Sequence, residues 1–224
     1  ITASIVSAIE ARIQSSEALA AGRIPTENLD AWSAFHRGLW HMYRFTQSDN
    51  AAATSYFERA IGNDPQFARA HAALSFTHFQ NAFLHFSGDR EQDLLLTRKL
   101  AETALGLDPF VNLTMGRADW IAGDLEGATP WLERSIELSP NYAFAIYNRA
   151  LIGVLQGESA ASANQVEKAI SLSPIDPLSY AMLSTRALAH MIQGDFEGAM
   201  TWVGRAIKLP NAHFQIFAIA AIAY

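Results

Sequence analysis

The sequence predicts an all-α fold, a right-handed α-solenoid of about five antiparallel helix pairs with one further first helix at the C-terminus. Small and apolar residues recur at helical spacing, as at Ala53, Phe57 and Ala60. A proline, which cannot continue a helix, closes each of these runs. The units return at intervals close to 34 residues, the distance from Pro140 to Pro174 (174 − 140). Helical spacing, terminal proline and regular period together indicate a repeat architecture.

Composition favours a packed protein and excludes several classes of function. Half of the 224 residues are hydrophobic and 17% are charged, which is enough apolar surface to bury a core. The net charge of −6 argues against direct contact with nucleic acid by this segment. No cysteine is present, so disulfides and thiolate metal sites are excluded, and a cytoplasmic location is predicted. No apolar run approaches the ~20 residues of a membrane span, so we expect no membrane partner.

The chain is predicted to begin with a separate helix and linker, residues 1–30, followed by the repeat array, residues 31–224. Asp30 is the expected N-cap of the first array helix. Because the chain starts at Ile1 without a signal-peptide pattern, we expect it to be a piece of a longer protein. The N-terminal helix, which ends near Gly22, is predicted from an apolar stripe at helical spacing: Ile5, Val6, Ile9 and Ile13.

Two repeats depart from the regular period. Pro65 and Pro109 are 44 residues apart (109 − 65), which predicts an insertion in the second repeat. Pro109 and Pro140 are only 31 apart (140 − 109), so the turn near Pro109 is either unusual or lacks residues.

Pro130 lies inside a predicted helix and should either kink it or mark a later start.

A hexapeptide that begins at Gly123 recurs, with one substitution, at Gly194. In both copies we expect the glycine to end one helix and the following aspartate, Asp124 or Asp195, to cap the next. The turn of the first repeat is less clearly marked. Three polar residues there offer a cap for its second helix: Ser48, Asp49 and Asn50.

These spacings resemble the tetratricopeptide repeat (TPR), and the resemblance covers residues 31–224. Residues 25–41 and 57–74 further resemble the TPR region of bacterial regulators in which a winged-helix DNA-binding domain or an adenylate-cyclase-like domain precedes the array. That resemblance implies a protein-interaction or sensory module of a transcriptional regulator. The regulatory region of an adenylate-cyclase-like protein is the alternative. DNA binding or cyclase activity would belong to the effector domain alone.

The TPR resemblance also implies where a partner would bind. In such arrays the first helices line a concave groove that suits an extended peptide or a helix of a partner protein. The alternative is that these side chains pack against neighbouring helices or the chain's own termini. The Lys/Asn clamp of chaperone-tail binding TPR proteins does not match, because Asn148 fits one position but the lysines are absent. The predicted groove residues are Phe110, Leu113, Arg117, Trp120, Phe144, Tyr147, Asn148 and Leu151.

Two further hypotheses concern other aromatic and apolar residues. Trp40, Phe76 and Phe79 form a candidate pocket for a small ligand. The segment 212–224 is apolar on more than one side and needs cover, which we expect from a second helix beyond Tyr224. Pairing of this segment and of the N-terminal helix between chains would make an oligomerisation scaffold, with a homodimer as its simplest form.

No metal, cofactor or catalytic residue is predicted. His71, His78 and His85 repeat every seven residues, but seven residues of helix rise roughly 10.5 Å, too far for one zinc ion. We therefore expect these histidines to pack between helices. The neighbouring carboxylates Glu91 and Asp93 stand at a helix start, where they favour the helix dipole. Without a nucleophile or phosphate-binding motif, the segment is not expected to be an enzyme.

Overall fold

The computed structural model describes residues 29–107 and 111–224, together with Ser16, Glu17 and Ala20, which are helical. The rest of the predicted N-terminal helix and linker lies outside the described residues. So do Pro109 and the predicted groove residue Phe110.

The described chain is all-helical and falls into two compact units. The N-terminal unit, which ends at Leu138, holds three helix pairs. These are α1 (Ala31–Met42) with α2 (Gln47–Asn63), α3 (Ala68–Leu84) with α4 (Arg90–Leu107), and α5 (Asn112–Ala122) with α6 (Leu125–Leu138).

The C-terminal unit spans residues 139–224 and holds two pairs and a single helix. These are α7 (Ala143–Leu155) with α8 (Ser159–Leu172), α9 (Ser179–Ile192) with α10 (Phe196–Ala206), and α11 (Phe214–Ala223), which packs on α9 and α10. None of the helices described in either unit is long and apolar enough to cross a membrane.

Close approach of the two helices in a pair depends on a small residue facing a large one. A Cβ atom at Gly38 would lie 2.7 Å from Cδ1 of Phe57, which is fully buried. In the third pair, a Cβ atom at Gly116 would lie 2.7 Å from Cγ of Leu132. Distances under 3 Å leave no room for a methyl group, so these glycines set the distance between the helices.

The recurring hexapeptide forms the helix-to-helix turn that its sequence predicts. Gly123 and Gly194 adopt left-handed backbone angles, with φ of 93° and 76°, that glycine reaches at little cost. Asp124 accepts a hydrogen bond from the backbone N–H of Gly127 at 2.7 Å. The second copy repeats this cap at Asp195. The second glycine of each copy leaves room for the cap, since a Cβ atom at Gly127 would lie 2.7 Å from Cγ of Asp124.

The first repeat is capped differently from the prediction. Asp30 caps α1 as expected, accepting from the N–H of Ser33 at 2.7 Å. The cap of α2, however, is Thr46, whose hydroxyl oxygen accepts from the N–H of Asp49 at 3.1 Å. Asn50 is instead buried, and its amide donates to the carbonyl of Thr77 at 2.9 Å. The helix thus starts earlier than predicted because an upstream threonine satisfies its first N–H groups.

Pro130 lies inside α6, which nevertheless begins at Leu125. Of the two predicted effects of Pro130, the later helix start is therefore excluded. The Asp124 cap and the burial of Ala128 against the preceding helix stabilise the first turn of α6 ahead of the proline.

His71 and His78 pack between helices as expected, whereas the prediction is wrong for His85, which is exposed and ends α3 in a left-handed conformation. His71 Nε2 lies 2.9 Å from the carbonyl oxygen of Pro65, in the turn before α3. His78 Nδ1 lies 2.7 Å from the carboxylate of Asp93, which is buried in the first turn of α4. That carboxylate also accepts from the amide of Asn81 and from the hydroxyl of Ser87. A buried carboxylate with this many donors holds α3, its loop and α4 together.

Candidate functional site

Three phenylalanines form a continuous stack along α3. The ring centres of Phe76 and Phe79 are 5.4 Å apart, and those of Phe79 and Phe83 are also 5.4 Å apart. Spacings of three and four residues place the rings on one side of a helix. The side chains are therefore aligned by the local helical geometry before any neighbouring helix packs on them.

Helix α5 adds an indole to this stack. The Trp120 ring centre lies 5.1 Å from that of Phe79 and 5.4 Å from that of Phe83. Tilted aromatic pairs at this distance add stabilisation beyond the apolar area that they bury. Rings of the second and third helix pairs thus meet in the N-terminal unit.

Arg117, one turn before Trp120, completes the group. Its guanidinium carbon lies 4.0 Å from the centre of the Phe76 ring, and the residue is only 6% exposed. A cation held over an aromatic face with little water around it interacts more strongly than at an open surface. We call Phe76, Phe79, Phe83, Arg117 and Trp120 the aromatic cluster.

The aromatic cluster has a buried base and a partly exposed edge. Phe76, Phe79 and Arg117 are buried. Phe83 and Trp120 are half-buried, so their rings keep some surface open to solvent. Contact with another molecule is therefore available through these two side chains.

The cluster joins residues that the sequence assigns to two different sites. Phe76 and Phe79 belong to the predicted small-ligand pocket, whereas Arg117 and Trp120 belong to the predicted groove. Trp40, the third pocket residue, is 46% exposed and packs elsewhere. The guanidinium carbon of Arg44 lies 4.3 Å from the centre of the Trp40 ring, and the ring centre of His41 lies 4.6 Å from it. Leu113 is buried on α5.

Phe83 is absent from the predicted site, although its spacing from Phe79 indicates that the two rings share a helix face. Four residues separate the two, so a helical interpretation of α3 places both rings on one face. Trp120 is distant from these rings in sequence, so its contact with them follows only from the packing of α5 against α3.

The remaining predicted groove residues lie on α7 in the C-terminal unit. The ring centres of Phe144 and Tyr147 are 6.0 Å apart and nearly parallel. The Asn148 amide donates to the carbonyl of Phe144 within its own helix at 2.7 Å. Tyr147, Asn148 and Leu151 are buried, and only Phe144 is half-buried. This face therefore offers less open surface than the aromatic cluster.

Glu17, one of the three described residues of the N-terminal segment, contacts the first helix of the array. The indole N–H of Trp32 donates to the carboxylate of Glu17 at 3.0 Å. The negative charge of Glu17 also favours protonation of the buried His36, although desolvation is the larger effect and lowers the pKa of that residue. At this position α1 contacts the chain's own N-terminal segment.

Metal ligands are not assembled in the part of the chain that the structure describes. No three histidine, aspartate or glutamate side chains there lie close enough to bind one ion.

Comparisons with known proteins bear on the fold. No protein-family profile and no curated protein sequence matches the chain. Solved structures do match. The TPR protein TTC0263 of Thermus thermophilus superposes with a TM-score of 0.65 at 19% identity, over 86% of this chain and 98% of that one. A TPR protein of Parabacteroides merdae gives 0.66 at 12% identity, over 99% and 82%.

The fold is that of the TPR proteins. The predicted fold class, an α-solenoid of TPR helix pairs, is confirmed. A chain of the APC/C hetero-tetramer Cut9–Hcn1 is also similar, with a TM-score of 0.69 at 16% identity, over 94% of this chain but 39% of that chain. Identities this low establish a TPR fold and leave the partner to be argued from the residues.

Proposed function

We propose that this chain is a protein-interaction or sensory TPR module that binds a peptide or a segment of a partner protein at the exposed edge of the aromatic cluster. TPR neighbours support the general role of a protein-interaction module. The observation that carries the specific proposal is the half-buried pair Phe83 and Trp120, backed by the buried ring of Phe79.

The geometry fits an apolar side chain of a peptide. Rings that are already packed and held in place lose little conformational entropy on binding, which favours affinity. Aromatic residues are also the residue type most enriched where binding energy concentrates at protein interfaces.

The same geometry gives the module a means of sensing. Arg117 and Trp120 belong to α5, while Phe76, Phe79 and Phe83 belong to α3. A ligand that inserts between Phe83 and Trp120 would change the packing of these two helices. We propose no catalytic role, because the chemistry available at the edge is apolar contact and charge.

We further propose that the parent protein is a cytoplasmic bacterial transcriptional regulator, with an adenylate-cyclase-like protein as the alternative. The support is the resemblance of residues 25–41 and 57–74 to that group. Sequencing the gene through the codon for Ile1 distinguishes the two. A region that encodes a winged helix supports the regulator, and one that encodes a cyclase catalytic domain supports the alternative. If neither domain is encoded there, both proposals are contradicted.

Selection of peptides on the purified chain tests the binding proposal. A random peptide library displayed on phage is selected on the wild-type protein, and enriched peptides are measured by fluorescence anisotropy. Phe83→Ala and Trp120→Ala should each weaken binding by about tenfold or more, because each truncation removes a large apolar contact. Leu95→Ala, which trims a 67% exposed residue on α4, is the matched control and should bind as wild type. Enriched peptides that bind both cluster variants unchanged would contradict the site.

A further inference from the structure

The open edge of the aromatic cluster lies where two helix-to-helix turns meet. Phe83 stands in the last turn of α3 and Trp120 in the last turn of α5, so each ring closely precedes a turn of the chain. The two turns are neighbours, because the Nη2 group of Arg90 donates to the backbone carbonyl of Ile121 at 3.3 Å. The residues that start α4 and α6 therefore form the rim of this edge.

Four carboxylates stand at these two helix starts. Asp89 and Asp124 cap α4 and α6, each accepting from a backbone N–H group of the helix that it starts, at 3.0 Å and 2.7 Å. Glu91 and Glu126 follow in the first turns and are exposed. We call Asp89, Glu91, Asp124 and Glu126 the acidic rim.

The helix dipoles explain why these acids stand at helix starts but do not balance their charge. A helix N-terminus carries roughly half a positive charge, whereas each start here carries two carboxylates. Arg90 is the one arginine or lysine in the two turns, residues 85–91 and 121–126. The acidic rim therefore keeps a net charge of about −2 after both dipoles and this arginine are counted.

Two other turns of the array pair their acids with arginine. In the first repeat, Arg44 lies 3.5 Å from the carboxylate of Asp49. In the fourth repeat, Arg149 lies 3.2 Å from the carboxylate of Glu158. Within the described residues, the acidic rim makes no such ion pair, so its charge is available to a partner.

The loop between α3 and α4 is held in place before any partner binds. The Ser87 hydroxyl donates to the buried carboxylate of Asp93, and the side-chain amide of Gln47 donates to the backbone carbonyl of Phe86 at 2.6 Å. With the contact that Arg90 makes, these bonds tie the loop to α2, α4 and α5. Charges fixed in this way can meet a partner without the entropic cost of ordering a mobile loop.

We propose that the partner segment bound at the aromatic cluster is basic: an apolar side chain lies against Phe83 and Trp120, and flanking lysine or arginine side chains meet the acidic rim. This proposal rests on the function proposed above and adds the charge of the partner to it. Opposite charge steers a partner toward its site and disfavours acidic competitors. The cation of the cluster itself, Arg117, is buried at its base and is not presented at the edge.

Peptides enriched from the random library on the wild-type chain are the probes, provided that Phe83→Ala weakens their binding, because this criterion places them at the aromatic cluster. We expect them to carry a large apolar residue flanked by lysine or arginine and to be poor in acidic residues. Fluorescence anisotropy then compares the wild-type chain with the double variant Glu91→Gln/Glu126→Gln, which removes two charges and keeps the shape of both side chains.

The double variant should bind these peptides about fivefold more weakly at about 0.05 M NaCl. The difference should vanish at about 0.5 M NaCl, because salt screens exposed charges. Glu58→Gln/Glu197→Gln is the matched control, since it makes the same change of charge at exposed positions on α2 and α10 and should bind as wild type.

Two results would overturn the basic partner and leave the aromatic cluster as the site: peptides sensitive to Phe83→Ala that bind the double variant as tightly as wild type, or such peptides that are rich in acidic residues. If every enriched peptide binds Phe83→Ala as tightly as wild type, the function proposed above is contradicted, and the basic partner is contradicted with it.

Discussion

The guanidinium carbon of Arg117 lies 4.0 Å from the centre of the Phe76 ring and so joins α5 to α3 inside the N-terminal unit. Both residues are buried, and the contact links two repeats rather than the two helices of one repeat. The stack therefore contributes to the packing on which the open edge at Phe83 and Trp120 depends.

Replacement of Arg117 by lysine should weaken this packing while it keeps the charge. A lysine ammonium lacks the planar guanidinium that stacks on a ring, so we expect a loss of about 1 kcal/mol in the free energy of unfolding. Chemical denaturation measures the change. Arg134→Lys, at an exposed position on α6 that pairs with the exposed Glu137, is the comparison and should change stability much less. Equal losses in both variants would contradict a special role for the stack.

Glycines at the helix contacts should not tolerate a methyl group. We expect Gly38→Ala and Gly116→Ala each to destabilise the protein by about 1–3 kcal/mol, because a Cβ atom there meets Phe57 or Leu132. Gly62→Ala is the matched control within a helix, since a Cβ atom at Gly62 has nothing within 4 Å. That change should stabilise slightly, as alanine favours helix over glycine. Thermal unfolding of the three variants checks the contrast in sign.

The buried carboxylate of Asp93 should contribute more to the stability of the fold than the exposed carboxylate of Glu91. Asp93→Ala removes the charged acceptor of hydrogen bonds from His78, Asn81 and Ser87, and we expect a loss of about 1–3 kcal/mol in stability. Glu91→Ala, in the same first turn but exposed, should change stability by less than about 0.5 kcal/mol. Chemical denaturation of both variants separates a buried network from a general effect of negative charge at a helix start.

His213 should make stability depend on pH in the mildly acidic range. Burial lowers the pKa of His213 from 6.5 to about 4, and its ring packs against Tyr180 at 5.5 Å. Between these values the unfolded chain binds a proton at His213 that the folded chain does not. The contribution of the neutral His213 ring to the free energy of unfolding is therefore complete above pH 6.5 and is lost as the pH falls toward 4.

One pH unit below 6.5, protonation of His213 in the unfolded chain lowers the free energy of unfolding by about 1 kcal/mol. His213→Phe should flatten that part of the profile of unfolding free energy against pH, whatever its effect on stability at neutral pH. An unchanged slope in the variant would show that other groups carry the acid sensitivity.

The helical repeat could be predicted because its signals are local. Each copy of the hexapeptide carries its own helix end, cap and small packing residue, and the structure realises all three at Gly123, Asp124 and Ala128. Asp30 is predictable for the same reason. The Thr46 cap was not predicted because five polar residues, from Thr46 to Asn50, follow one another there, and each offers an oxygen to a helix start.

The candidate site was less predictable because it depends on contacts between repeats. Phe76 and Phe79 share a helix face by spacing alone, but their meeting with Arg117 and Trp120 requires α3 to pack against α5. Trp40 illustrates the opposite case. It belongs to the same predicted pocket, yet its packing against Arg44 is local to the first repeat.

Hydrogen–deuterium exchange, with a peptide enriched by selection on the wild-type chain, shows whether the aromatic cluster is the binding site. We expect slower exchange on α3 and α5 around Phe83 and Trp120 when the peptide is added, and no such change in the Trp120→Ala variant. Slower exchange confined to the C-terminal unit, or the same protection in wild type and Trp120→Ala, would contradict the assignment of the binding site to the aromatic cluster.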